Sequence, residues 1–98
     1  MRRTRTPLTD AEIALGLTEL PGWSRRGDAL AFERTFPDVP AAAAFIVRVL
    51  FAAEAADHHP EIVTVHTRVA LTLSTHDAGN RVTATDLALA HKIAKFKV

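Results

Sequence analysis

The stretch Glu54-Ala-Ala-Asp-His58-His59-Pro60 decides how this chain folds, because it ends a long apolar helix and begins a second pair of strands. Proline disfavours the α conformation of the residue before it, so the helix must end near His59. The two adjacent histidines are thereby fixed at a sharp helix-to-strand corner. Histidine is the side chain whose unperturbed pKa lies nearest neutrality, so this corner is a candidate for acid–base chemistry.

The helix before this corner is predicted to span residues 39–58, with Asp38 as its N-cap. Its apolar residues form two adjacent stripes, which are Phe45, Val49, Ala52 and Ala56 in one and Ile46, Leu50 and Ala53 in the other. An apolar surface of this width favours packing on a sheet, and the flank that the sheet leaves uncovered favours a partner subunit.

Two shorter elements precede the long helix. Thr9-Asp-Ala-Glu12 is a capping box for a helix over residues 10–19. A hairpin follows, with its turn centred on Gly27-Asp28. In the second strand of this hairpin Arg34 interrupts an apolar face, which indicates either a sheet edge or a side chain that extends its charge to solvent.

Two strands are predicted after the corner, because residues 62–66 and 69–75 alternate apolar and polar side chains. The turn between them is expected near Thr67-Arg68. The expected core positions are Val63, Val65, Val69, Leu71 and Leu73.

A last helix is predicted after a loop at residues 77–80, with Thr83-Ala-Thr-Asp86 as its capping box. Leu89, Ile93 and Phe96 are expected inward, and Lys92, Lys95 and Lys97 outward. The complete order is α-β-β-α-β-β-α. It predicts an α+β fold in which three helices cover one face of a four-stranded antiparallel sheet.

The composition is that of one soluble domain over residues 1–98, with 48% apolar and 23% charged residues. A net charge of +1 gives no support for nucleic-acid binding, and the arginines within residues 1–7 are expected to belong to a flexible tail. The absence of cysteine fits a cytoplasmic location. The apolar run 41–53 is interrupted by Arg48 and is too short to cross a membrane.

A second polar corner, Thr75-His76-Asp77, lies at the other end of the predicted second hairpin. Each residue has a structural explanation of its own: a surface histidine, a favourable charge at a helix end, a capping acid at Asp86, or a solvated Glu54. A metal site would draw on His58, His59 and His76 with Asp77 or Asp86. Adjacent histidines project in divergent directions and no HxxxH pair is present, so a metal-free protein is expected.

The spacing Glu54-x-x-x-His58-His59-Pro60, followed by His76 and Asp86, resembles the signature of pterin-4a-carbinolamine dehydratases. The resemblance covers nearly the whole chain. Its further landmarks are Leu8-Thr-Asp-Ala-Glu12, Leu20-Pro-Gly-Trp23, Arg34-Thr-Phe36, Ser74-Thr-His-Asp-Ala-Gly79 and Thr83-x-x-Asp86-Leu-x-Leu-Ala90. One departure is His66, which stands where the family has an aromatic residue.

The resemblance implies a hydro-lyase without cofactors that dehydrates 4a-hydroxytetrahydropterin to quinonoid dihydropterin during tetrahydrobiopterin recycling. It also implies a homodimer or homotetramer. The alternatives are a non-catalytic pterin-binding protein, an accessory factor for a hydroxylase or a molybdopterin-related pathway, and a transcription-coactivator-like protein. The presence of all three histidines favours the enzyme.

The resemblance also implies roles for individual residues. His58 and His76 would transfer protons, and His59 would assist them or bind the pterin. Which of the two acts as acid is left open. The residues expected to bind substrate are Trp23, Glu54, Pro60, Ser74, Thr75, Asp77 and Asp86, with helix capping as an equal explanation for Asp86 and core packing as an equal explanation for Trp23.

Overall fold

The computed structural model describes residues 6–96, and its elements follow the predicted order. The helices are α1 (Asp10–Leu17), α2 (Val39–Ala56) and α3 (Ala84–Ala94); the strands are β1 (Trp23–Arg26), β2 (Ala29–Thr35), β3 (Glu61–Val65) and β4 (Arg68–Leu73). A single 3₁₀ turn, His76–Ala78, lies between β4 and α3. The predicted α+β class and element order are confirmed.

The four strands form one antiparallel sheet in the order β1-β2-β4-β3. Its register aligns Trp23, Phe32, Leu71 and Ile62 in one row across the sheet. Because side chains alternate between the faces of a strand, this row and its neighbours two residues away share one face. That face carries the buried core, to which the helices contribute Ile13, Phe45, Val49, Leu89 and Ile93.

The prediction that Val63 and Val65 are core residues was wrong. Both are about half exposed, at 48% and 54%. Val63 pairs with Ala70 and Val65 with Arg68, so all four side chains lie on the face that the helices leave open. Both faces of β3 carry apolar residues, so alternation alone did not identify the buried one; a shift of one residue exchanges the two faces.

The turn between β3 and β4 was predicted one residue too late. Val65 pairs with Arg68, so the two-residue turn is His66-Thr67. His66 has φ +58°, in the left-handed region that glycine or asparagine usually occupies. Neither residue type is present in this turn, which is why the sequence did not mark it.

Helix α2 ends at Ala56, two residues before the predicted end. Asp57 adopts φ +50°, and the N–H of His58 then donates to the carbonyl of Ala53 at 3.0 Å. The N–H of Asp57 donates to the carbonyl of Glu54 at 3.1 Å. These two bonds form a Schellman motif, which ends the helix and turns the chain before Pro60 is reached.

The first half of the chain agrees more closely with the predictions. Thr9 and Glu12 form the expected capping box, although α1 is two residues shorter than predicted. The turn of the first hairpin is Gly27-Asp28. Arg34 lies beyond the last β1–β2 pair, on a stretch of β2 bordered only by β4, and its guanidinium stacks 4.8 Å from the Phe36 ring centre. Both explanations offered for Arg34 therefore apply.

Helix α2 packs on the sheet with one face and leaves a second apolar face exposed. Phe45 and Val49 are fully buried, whereas Leu50 is 49% and Phe51 is 75% exposed. Judged by length and hydropathy alone, α2 is long and apolar enough to cross a membrane. However, one face of α2 packs in the core of the domain, as a core helix does.

The ends of the chain are only partly described. Residues 1–5 of the expected tail and Lys97 lie outside the described residues. Within the expected tail, Pro7 pairs with Thr83, and the next residue, Leu8, donates its N–H to the Val82 carbonyl at 2.9 Å. The chain is therefore joined to the fold from Pro7 onward.

Candidate active site

Three segments meet at the end of the sheet where β4 finishes. His58 follows α2 at the Schellman motif, Thr75 lies two residues beyond the end of β4, and Asp86 lies in the first turn of α3. The side chains of these residues are joined by hydrogen bonds, and Thr83 completes the group. We call these four residues the buried network.

The contact between His58 and Asp86 is the centre of the buried network. His58 Nε2 lies 2.5 Å from Asp86 Oδ1. The His58 side chain is 8% exposed and that of Asp86 is not exposed at all. Hydrogen bonds between ionisable groups are short and strong, and removal from water strengthens them further. The His58 ring is therefore held in one orientation.

The second carboxylate oxygen of Asp86 accepts hydrogen bonds from neighbouring groups of the protein. Its Oδ2 accepts from the Thr83 N–H and from the Thr75 hydroxyl, each at 2.8 Å. The bond to the Thr83 N–H is half of the α3 capping box. The two explanations given for Asp86, a capping acid and a site residue, therefore both hold. Its carboxylate lies deeper than the His58 ring, so it does not face a surface ligand directly.

His59 points away from the buried network and is 56% exposed. Its Nε2 lies 3.1 Å from Glu54 Oε1, and the Glu54 side chain is 83% exposed. Glu54 was considered as an orienting group for a histidine, and the structure pairs it with His59. The left-handed Asp57 turns the chain between them, which brings two residues five positions apart into contact.

His76 is presented by a short closed loop. Thr75 and Arg81 pair across the base of the loop, and the Thr75 carbonyl accepts from the N–H groups of Ala78 and Asn80 at 3.0 Å each. His76 itself is exposed, and its Nδ1 lies 3.3 Å from Asn80 Oδ1. Since Thr75 belongs to the buried network, the loop fixes His76 next to it.

The remaining predicted substrate residues differ in their placement. Pro60 and Ser74 are half-buried, and Asp77 is exposed on the 3₁₀ turn. Thr75 is fully buried, its hydroxyl is used by Asp86, and its backbone N–H donates to the Arg81 carbonyl. The structure thus leaves Pro60, Ser74 and Asp77 accessible to a ligand and withdraws Thr75 into the protein.

Trp23 is not brought to the histidine corners. It is 7% exposed and packs 5.2 Å from Phe32, centre to centre, in the aromatic part of the core. Its row of the sheet crosses β4 at Leu71, four residues before Thr75, which is about 13 Å along a strand. Its indole N–H is buried and has no partner within residues 6–96. Of the two explanations for Trp23, core packing fits this placement.

Thr83 is the site residue that the sequence did not identify. It was assigned only as a helix cap, yet it also contacts Thr75 through the two hydroxyl oxygens at 2.7 Å and is fully buried. The pattern Thr83-x-x-Asp86 predicts the capping box but not its burial, since the Thr9-x-x-Glu12 box has the same pattern and is exposed.

No group of three or more His, Asp or Glu side chains suited to a metal ion occurs within the described part of the chain. The site instead offers one buried histidine that is fixed by a carboxylate and two exposed histidines beside it. Such an arrangement suits proton transfer to and from a bound molecule.

Comparison with known proteins gives a consistent result. The family model described as Pterin 4 alpha carbinolamine dehydratase matches residues 6–96. A relative from Thermomicrobium roseum, provisionally named a pterin-4-alpha-carbinolamine dehydratase, is 49% identical over 89 residues, which are 91% of this chain and 95% of the relative. A relative of the same provisional name from Opitutus terrae is 47% identical over 91 residues, 93% of this chain and 94% of the relative.

A solved structure agrees with these relatives. The crystal structure of a transcriptional coactivator/pterin dehydratase from Brucella melitensis matches with a TM-score of 0.85 and 34% identity. The match covers 90% of this chain and 95% of that one.

Proposed function

Since the chain belongs to the pterin-4-alpha-carbinolamine dehydratase family, we propose that it dehydrates a 4a-hydroxytetrahydropterin to the quinonoid dihydropterin and water. In this reaction the bond from C4a to the hydroxyl oxygen breaks and the oxygen leaves as water after protonation. The N5 proton departs to a base, and a double bond forms between C4a and N5. The reaction therefore needs one acid and one base on a bound, flat ring.

The observation that carries this proposal is the arrangement of His58, His59 and His76 around the end of β4. His58 is fixed by Asp86, and His76 follows directly after Thr75 of the same buried network. We assign proton transfer to His58 and His76. Acid–base groups placed in this way typically accelerate a reaction by about a hundredfold to ten-thousandfold each.

The exposed His59–Glu54 pair is the proposed contact with the pterin ring. Its groups lie 3.1 Å apart and are largely accessible. Together they offer hydrogen-bond acceptors and donors to a ring that carries both. Pro60, Ser74 and Asp77 line the same accessible corners, whereas Asp86 acts on the substrate only through His58.

The physiological role follows from the product. A quinonoid dihydropterin must be reduced before it can serve again, so the enzyme would act between an oxygenase that forms the carbinolamine and a reductase. We therefore place it in tetrahydropterin recycling. We propose a cytoplasmic location for this role, which the absence of cysteine suits.

The test is turnover of a freshly generated 4a-hydroxytetrahydropterin by the purified protein, followed by ultraviolet absorbance in a stopped-flow instrument. We expect the carbinolamine to disappear much faster than it does in buffer. His66→Ala serves as a matched control, because His66 is an exposed histidine in the turn at the far end of β3. A decay rate equal to the uncatalysed one would contradict the proposal.

A second candidate function is protein binding through the exposed face of α2. The Brucella melitensis protein is described as a coactivator as well as a dehydratase, and Leu50 and Phe51 form an accessible apolar surface here. This role would not need the histidines. A chain that fails to dehydrate the carbinolamine but retains a partner through α2 would favour it.

A further inference from the structure

The two ring nitrogens of His58 are in different situations. Nε2 contacts Asp86 Oδ1, whereas Nδ1 has no hydrogen-bond partner within residues 6–96. The nitrogen that exchanges a proton with a substrate must be the one that the protein leaves available. The remaining question is what keeps the ring proton on Nε2 when the imidazole is neutral.

The direction of each hydrogen bond around Asp86 answers this question. A carboxylate only accepts, so the Thr83 N–H and the Thr75 hydroxyl both donate to Oδ2. The single proton of the Thr75 hydroxyl is used in that bond. In the 2.7 Å contact between the two hydroxyls, Thr83 therefore donates and Thr75 accepts.

The chain of bonds continues into the first turn of α3. The Thr83 oxygen accepts from the Thr85 N–H at 3.2 Å, so the hydroxyl is left to donate only toward Thr75. The Thr75 hydroxyl and the Thr83 N–H thus donate to Asp86 directly, and the Thr83 hydroxyl supports them by donating to Thr75. A carboxylate has no hydrogen to donate, so the proton in the short contact with Asp86 is that of the His58 ring.

We propose that Thr75 and Thr83 are positioning residues that keep Asp86 an obligate acceptor, so that neutral His58 carries its proton on Nε2 and presents Nδ1 to the reacting molecule. This inference rests on the proposed dehydratase function for its effect on turnover. The assignment of the proton does not depend on that function. Buried aspartates fix the tautomer of a catalytic histidine in Ser-His-Asp enzymes by the same physical means.

Thr75→Val is the decisive variant, because valine keeps the shape of threonine and removes only the hydroxyl. Oδ2 then loses one donor, and the Thr83 hydroxyl loses its acceptor. The carboxylate is free to rotate, and the ring is free to adopt the other tautomer. Thr75→Ser retains the hydroxyl and should restore the parental behaviour. Thr72→Val is the matched control, because Thr72 lies on β4 just before Thr75, between Leu71 and Leu73 and on the opposite face from them.

The readout is the nitrogen NMR spectrum of the His58 ring, together with kcat and KM for the carbinolamine. We expect the neutral parent to show the Nε2–H tautomer. Thr75→Val should show a mixture of tautomers, with kcat lowered about tenfold or more and KM nearly unchanged. Thr75→Ser and Thr72→Val should retain the parental tautomer and a kcat within a few-fold.

The spectrum separates this inference from the proposed function. If the parent shows no turnover but the His58 tautomer changes in Thr75→Val, the dehydratase function is wrong and the positioning role of Thr75 still holds. A parental Nδ1–H tautomer would overturn the inference, even if Thr75→Val did not fold. It would also be overturned by a folded Thr75→Val that kept both the parental tautomer and the parental kcat.

Discussion

Asp86 caps α3 with one carboxylate oxygen and holds His58 with the other. A residue that helps to start a helix is therefore also the partner of the proposed catalytic base or acid. The stability of α3 and the orientation of His58 cannot be altered independently through this side chain. This relationship leads to different expectations for the two proton-transfer histidines.

Replacing His58 or His76 by alanine should lower turnover by about a hundredfold or more in each case, because each change removes one arm of the acid–base pair. The two variants should differ in their free energy of unfolding. His58→Ala takes one donor from a buried carboxylate and should cost about 1–3 kcal/mol, whereas His76→Ala removes an exposed ring and should cost almost nothing. Carbinolamine turnover and thermal melting of each variant provide the measurements.

The proton-transfer roles would be contradicted by folded alanine variants that work at nearly the parental rate. The difference in stability is a separate check on the structure. Equal melting temperatures for the two variants would show that the Asp86 contact contributes little to the fold.

Replacing His66 by phenylalanine, an aromatic residue of the type that the resemblance implies at this position, should leave turnover within a few-fold of the parent. His66 lies in the β3–β4 turn, and His58 precedes the other end of β3, so the two are separated by the five residues of β3, or about 17 Å. Steady-state kinetics with the carbinolamine would check this. A large rise in KM would mean that the turn reaches the substrate.

Self-association is expected through the exposed face of α2. On this face Leu50 is 49% and Phe51 is 75% exposed, and exposed apolar surfaces of this kind commonly mark an interface between subunits. Light scattering at micromolar concentration should give a dimer or a tetramer rather than 10.7 kDa.

Phe51→Glu should shift this equilibrium toward the monomer. Leu15→Glu is the matched control, because Leu15 on α1 is 72% exposed and Phe51 is 75% exposed. A parental protein that remains monomeric, or a Leu15→Glu variant that dissociates as readily, would show that α2 is not the interface.

Trp23→Phe should leave kcat and KM within a few-fold, because Trp23 lies in the core away from the histidines. The change removes apolar area but also a buried N–H without a partner, so we expect the free energy of unfolding to change by less than about 1 kcal/mol. Trp23→Ala should instead lose about 3–5 kcal/mol. Chemical denaturation and kinetics of both variants would distinguish a core residue from a substrate contact.

Chelation should not affect the enzyme. Dialysis against a strong chelator is expected to leave turnover unchanged, and elemental analysis should find no stoichiometric metal, because residues 6–96 hold no group of three or more side chains suited to a metal ion. Loss of turnover on chelation that zinc restores would refute this expectation.

The sequence was sufficient for the elements whose local signals are strong. The capping boxes at Thr9 and Thr83 and the Gly27-Asp28 turn are encoded by a few adjacent residues, and all three occur as predicted. The errors in the end of α2 and in the β3–β4 turn fall where a residue adopts a conformation that its type seldom adopts. Asp57 and His66 both have positive φ, and neither is a glycine.

The residues of the candidate site were named from the two histidine corners and from the family resemblance, and their roles stay predictions. Their depth was not predictable, because the burial of Thr75 and Asp86 depends on how α3 packs against the end of β4. That contact joins residues distant in the sequence, and no local pattern reports it. The same limit applies to Trp23, whose position depends on the register of the sheet.

The Asp86–His58 contact also has a consequence for the order of events during folding. The two residues are 28 positions apart, and β3, β4 and the loop that carries His76 lie between them. The contact requires the first turn of α3, so a growing or truncated chain that ends before α3 has an unanchored His58. Recovery of turnover after refolding should therefore require that α3 has joined the rest of the fold.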